Sequence, residues 1–130
     1  MLLKSFLHVK LDIEDEKRSL DFYCNKLQLK EIVRYQLPDG GAIIQLSPTG
    51  LSPGIELWYE KPFKGFNNDR LHIAFEVDDV VEVVERLKEN GVVIEQEPFR
   101  KGHEVIAFFR DPDGYLIEIN EDTNLKKNVV

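Results

Sequence analysis

The sequence predicts an α+β fold made of two paired βαβββ modules, and three observations carry that expectation. Several short segments alternate apolar and polar residues with the period-2 pattern of strands that bury one face. Two other segments carry apolar residues at helical spacing behind an aspartate placed as an N-cap. The order of these segments in the first half of the chain returns in the second half, and such repetition constrains the fold before any single element does.

In the first half, Phe6-Leu7-His8-Val9-Lys10-Leu11-Asp12-Ile13 reads as a strand with His8, Lys10 and Asp12 on its polar face. Asp15 precedes a helix over roughly 15–28, with Leu20, Tyr23 and Leu27 as its apolar stripe. Strands follow at about 30–36, 41–47 and 54–60, separated by Leu37-Pro38-Asp39-Gly40-Gly41 and Ser47-Pro48-Thr49-Gly50, both rich in turn formers. In the second half, Leu71 to Val77 is again an alternating strand, with His72 on the polar face. Asp79-x-x-Glu82 reads as a capping box for a helix through Val80, Val83, Val84 and Leu87, which Asn90-Gly91 ends. Strands near 92–98, 103–110 and 115–120 complete the order, the last two joined by Asp111-Pro112-Asp113-Gly114.

The halves superpose residue by residue. His8-Val9-Lys10-Leu11-Asp12-Ile13 lies over His72-Ile73-Ala74-Phe75-Glu76-Val77 at an offset of 64, and Ile55-Glu56-Leu57 over Ile117-Glu118-Ile119 at an offset of 62. A loop absorbs the difference of two. One domain over 1–130 is expected, with internal repeats at approximately 5–60 and 69–122.

Composition narrows the function. The chain has 130 residues, 42% hydrophobic and 32% charged, a globular profile rather than a disordered one. Seventeen Lys and Arg against 24 Asp and Glu leave a net charge of −7, which opposes a nucleic-acid partner because phosphate contacts need clustered cations. The longest apolar run, Val105 to Phe109, is far below the roughly 20 residues that span a bilayer, so no membrane association and a cytoplasmic location are expected. Cys24 is the single cysteine, so an internal disulfide and a thiolate metal cage are both excluded within one chain. A metal site would have to use histidine and carboxylates.

Those residues recur in register. In each half a histidine opens the first strand and a glutamate sits in the last, all on the polar face: His8, Glu56, His72 and Glu118. Singly, such residues are most often surface or hydrogen-bonded groups. As a repeated pair, two modules related by a pseudo-twofold axis would bring together two imidazole nitrogens and two carboxylates. That donor set suits Ni, Co, Zn, Fe or Mn, and four protein ligands on a six-coordinate ion leave two positions for substrate. His103 has no counterpart in the first half and reads as a loop histidine, while Cys24 reads as a small core residue.

With these four residues, Arg18-Ser19-Leu20-Asp21-Phe22-Tyr23, Leu27-Gln28-Leu29 and Asp111-Pro112-Asp113-Gly114-Tyr115-Leu116-Ile117-Glu118, the chain resembles the vicinal oxygen chelate superfamily over about 5–122. The superfamily covers glyoxalases, bleomycin-resistance proteins and dioxygenases, and the likeness is greatest to glyoxalase I (lactoylglutathione lyase), because Glu56 stands where the family's epimerases typically have Gln. The resemblance implies a curved eight-stranded half-barrel with helices outside. It implies a homodimer whose sites lie where the first module of one copy meets the second module of the other. It implies a divalent ion on His8, Glu56, His72 and Glu118, with Ni or Co favoured for a chain this short and Zn, Fe and Mn as the other candidates. The implied reaction isomerises the hemithioacetal of a 2-oxoaldehyde and a thiol through an enediolate, with Glu56 and Glu118 as the catalytic carboxylates. The other readings are a related epimerase, a non-haem iron dioxygenase, or a non-catalytic ligand-sequestering protein.

Two positions depart from the glyoxalase I pattern. Where that family holds glutathione with an Arg four residues after the first ligand and an Asn four after the second, this chain has Asp12 and Glu60. Two acids there would repel a thiol carboxylate, which argues against glutathione and leaves a thiol presenting an amine, or a substrate with no thiol. Arg100 and Lys101 lie where a basic loop could hold a substrate carboxylate, although solvated loop charges are the reading preferred here.

Overall fold

The structure is a computed structural model in which residue 2 and residues 4–65 and 71–122 are described. The elements run β1 (His8–Asp12), α1 (Glu16–Leu20), a π-helical segment (Asp21–Lys26), β2 (Lys30–Gln36), β3 (Ala42–Ser47), β4 (Gly54–Tyr59), β5 (His72–Glu76), α2 (Val80–Glu89), β6 (Ile94–Lys101), β7 (Glu104–Arg110) and β8 (Leu116–Asp122). The chain divides into two compact units, Met1–Asn67 and Asn68–Val130, each containing one expected module.

The first unit holds a four-stranded sheet in the order β1-β4-β3-β2, with β1 parallel to β4 and the other pairs antiparallel. Its core includes Leu11, Ile13, Tyr23, Ile44, Leu46 and Leu57, all fully buried. Each such side chain contributes about 1.5–3 kcal/mol by leaving water. The second unit repeats the topology as β5-β8-β7-β6, with β5 parallel to β8 and the other pairs antiparallel. Here Val80, Val84, Phe109 and Ile117 are fully buried, and α2 packs on β6, β7 and β8.

Both helices begin as the sequence predicts. Asp15 Oδ1 accepts the Arg18 backbone N–H at 3.0 Å, and Asp79 Oδ1 accepts that of Glu82 at 3.1 Å. The first helix differs from expectation in its course. After one α-helical turn it widens into the π-helical segment, and the stripe it buries is Ser19, Phe22 and Tyr23, with Leu20 and Leu27 only partly covered. Phe22 and Tyr23 meet edge to face at 5.0 Å, a pairing that puts two adjacent aromatics inside at once. The segment closes at Gln28, whose φ of +63° lets the Leu29 N–H reach the Tyr23 carbonyl at 2.9 Å.

Strand β6 also differs, running to Lys101 rather than stopping near 98. Pro98 has no N–H for a ladder, but β6 is an edge strand and its register with β7 slips between Gln96 and Phe99, which accommodates the ring. Ahead of β8, Asp111 Oδ1 accepts the N–H groups of Asp113 at 2.9 Å and Tyr115 at 2.8 Å, so the turn that delivers β8 is held by a buried carboxylate.

Candidate metal centre

Each unit brings its histidine and glutamate together by the same device. Strand β1 lies parallel to β4 with His8 opposite Gly54 and Lys10 opposite Glu56, so His8 and Glu56 are diagonal neighbours on one face. His8 Nε2 is 3.3 Å from Glu56 Oε2. The close approach at this end requires Gly54, since a Cβ there would fall 2.1 Å from the Leu46 carbonyl oxygen. In the second unit His72 is opposite Leu116 and Ala74 opposite Glu118, and His72 Nε2 is 3.4 Å from Glu118 Oε1. The repeat in the sequence is therefore a repeat in side-chain geometry.

The carboxylates differ in their other partners. Glu56, itself buried, accepts Gln45 Nε2 on Oε2 at 2.7 Å and the Trp58 indole N–H on Oε1. Glu118 accepts Asn120 Nδ2 on Oε2 at 3.0 Å, and the same amide nitrogen donates to Glu104 Oε1 at 3.2 Å. Burying a carboxylate without such donors would be costly. Beside the second pair, Phe108 stands edge-on to the His72 ring at 6.1 Å.

A cavity of about 280 Å³ adjoins the first pair, lined by Lys10, Asp12, Trp58, Glu60, Phe63, Lys64 and Gly65. Asp12 and Glu60 do line it, but not as a bare negative rim. Lys10 Nζ is 3.1 Å from Asp12 Oδ1, and Lys64 Nζ is 3.1 Å from Glu60 Oε2. Elsewhere, His103 is exposed in the β6–β7 turn, as a loop histidine should be, and Arg100 and Lys101 are exposed at the end of β6. Cys24 is partly buried; burial first, and the nearby Glu31 second, push its thiol above the usual range, the setting of an unreactive cysteine.

The model of the Glyoxalase/Bleomycin resistance protein/Dioxygenase superfamily matches residues 5–119. The chain belongs to this superfamily. Lactoylglutathione lyase of Neisseria meningitidis is 40% identical over 119 residues, 86% of each chain, and that of Salmonella typhimurium is 36% identical over 88% of this chain and 90% of its own. Among solved structures, the trypanothione-dependent glyoxalase I of Leishmania major superposes with a TM-score of 0.80 at 32% identity, covering 96% of this chain and 92% of that one. The chain is thus a glyoxalase I-like enzyme, and a divalent metal is the cofactor of that family.

The donors in this superfamily member fit such an ion. Ligands at about 2.1 Å from a metal stand about 3.0 Å apart at adjacent octahedral positions and about 3.4 Å apart in a tetrahedron. The His–Glu separations of 3.3 and 3.4 Å fall in that range. Among the described residues no cluster of three or more His, Cys, Asp or Glu forms, so each unit offers two donors. Among the same residues no helix is long and apolar enough to cross a membrane. Gln45, Trp58 and Asn120 were not legible as site residues. Trp58 and Asn120 each stand two positions after a candidate ligand and so share its face, a parity signal that could have found them.

Proposed function

We propose that this glyoxalase I-like enzyme holds one divalent ion, nickel or cobalt ahead of zinc, iron or manganese, through His8, Glu56, His72 and Glu118, and isomerises the hemithioacetal of a 2-oxoaldehyde. The observation that carries the proposal is the repeated pair, with the same two residue types at 3.3 and 3.4 Å in the same strands of both units. When bound, the ion supplies positive charge against which two adjacent oxygens of the substrate can become negative.

The chain's own groups divide the remaining work. Both oxygens of Glu56 are held, by Gln45 and Trp58, so this carboxylate keeps its place. Among the described residues, Glu118 Oε1 meets only His72, while Asn120 steadies Oε2. Glu118, held by one donor where Glu56 is held by two, is the carboxylate better able to shift, take the substrate's C–H proton and return it to the neighbouring carbon. Two donors per unit are too few for a six-coordinate ion, and β1 and β5 each leave one edge unpaired in their own sheets. Both facts favour a homodimer in which the first module of one copy completes its site with the second module of the other; a cytoplasmic location is the part of this reading that rests on the sequence alone.

The test is elemental analysis of the purified protein, then removal and replacement of the metal, then assay with methylglyoxal and several thiols both with and without oxygen. Formation of the 2-hydroxyacyl thioester, with solvent exchange of one substrate proton, is expected. Oxygen uptake stoichiometric with substrate loss would make the enzyme a dioxygenase instead.

A further inference from the structure

We infer that the cavity beside the first His–Glu pair is an ammonium subsite, and that the thiol carried by the substrate bears an amine at its non-reacting end. The inference rests on the glyoxalase I-like reading and specifies which class of thiol that site takes.

The cavity demonstrates its own preference. The ammonium of Lys10 lies 4.6 Å from the Trp58 ring centroid and 3.1 Å from Asp12 Oδ1, so a cation of the chain already sits between an aromatic face and a carboxylate. That combination is how proteins recognise ligand ammonium groups. Phe63 adds a second aromatic wall, and Glu60 a second carboxylate.

The two signs of charge are not equally placed. The side chains of Asp12 and Glu60 are 27% and 23% exposed, whereas those of Lys10 and Lys64 are 46% and 75% exposed. The acids are fixtures of the wall, and the lysines reach in from solvent. Exposed ion pairs contribute little and exchange readily, so an incoming ammonium can displace either lysine into water and keep every carboxylate paired. A carboxylate on the ligand would have to compete with Asp12 and Glu60 for those same lysines.

The subsite is also continuous with the chemistry. Lys10 and Asp12 follow His8 on one face of β1, and Trp58, which forms the cavity wall, donates its indole N–H to Glu56. A group resting on the indole is therefore one side chain away from the metal pair.

The experiment compares methylglyoxal adducts of 2-(dimethylamino)ethanethiol and 3-mercaptopropionate, thiols of similar size and opposite end charge. The tertiary amine of the first cannot close a ring onto the aldehyde. The metal-loaded enzyme is expected to favour the amine adduct by about tenfold in kcat/KM at low ionic strength, with the ratio falling as salt is added. In Asp12→Asn/Glu60→Gln, which leaves Lys10 and Lys64 without these partners, the ratio should fall to one or below, and because it is a ratio it does not depend on the fraction of active protein. A wild-type ratio of one or less, or a ratio unmoved in the double variant, overturns the inference. Trp58 is the single tryptophan, so binding can be followed without turnover by its fluorescence, using the S-methyl derivatives of the same two thiols. Preferential binding of the amine derivative with no turnover of either adduct would uphold the subsite and refute the glyoxalase reading. Turnover of both adducts without preference would do the reverse.

Discussion

Across the sheet from Glu56 stands Gln45; at the same register position across from Glu118 stands Phe108. Two residues further along each strand, Trp58 corresponds to Asn120. The two modules thus agree on topology, on the strands that carry the His–Glu pair and on its spacing, and disagree on nearly everything that touches the carboxylate. In the first module two donors grip both oxygens and an aromatic cavity opens alongside. In the second, an apolar ring replaces the cross-strand donor and one amide bridges Glu118 to Glu104. Duplication supplies a symmetric His–Glu pair, and under the proposed function the differing neighbours would separate its two carboxylates into a fixed one and a movable one.

The largest expected effect tests what the modules share. His8→Ala and His72→Ala should each lose bound metal and at least about 100-fold in activity together, measured by elemental analysis beside turnover. A variant with full metal content and full turnover would place the ion elsewhere. Next comes what they do not share: Glu118→Gln should lower kcat by about 10²–10⁴-fold while retaining metal better than Glu56→Gln does. Equal loss of metal and rate in both variants would erase the distinction. A smaller effect is expected from Phe108→Gln, which gives the second carboxylate the cross-strand donor of the first; restraining Glu118 should cost about tenfold in kcat. An unchanged rate there would mean that mobility of Glu118 is irrelevant. The smallest effect concerns stability. The first helix ends on Gln28 with φ +63°, the second on Gly91 with φ +81°, so Gln28→Gly should relieve left-handed strain and raise stability by up to about 1 kcal/mol, seen as a Tm several degrees higher.

How far the sequence could be read follows the same division. The strand carrying His8 was legible because alternation is a local, period-2 property, and the His–Glu repeat was legible because it needs only parity and an offset. The π-helical widening was not legible, since burying Phe22 and Tyr23 together depends on what the sheet offers them. Strand β6 runs past residue 98, and Pro98 is harmless within it because β6 lies on the sheet edge. The partners of Glu56 escaped because Gln45 reaches it across a register that no single segment encodes. The acids at 12 and 60 were readable as acids, but Lys10 and Lys64 as their companions were a matter of side-chain reach.

In each module the first strand has no partner until the last one arrives, because β1 pairs with β4 and β5 with β8. The His–Glu contact therefore spans almost the whole module and is among the most sequence-distant pairings within it, the kind that forms late in folding. On the ribosome, neither half of the donor set can assemble before its module has been synthesised to the end. A chain arrested partway offers lone histidines and no His–Glu pair, so under the proposed ligand set metal would be captured by finished modules rather than by fragments.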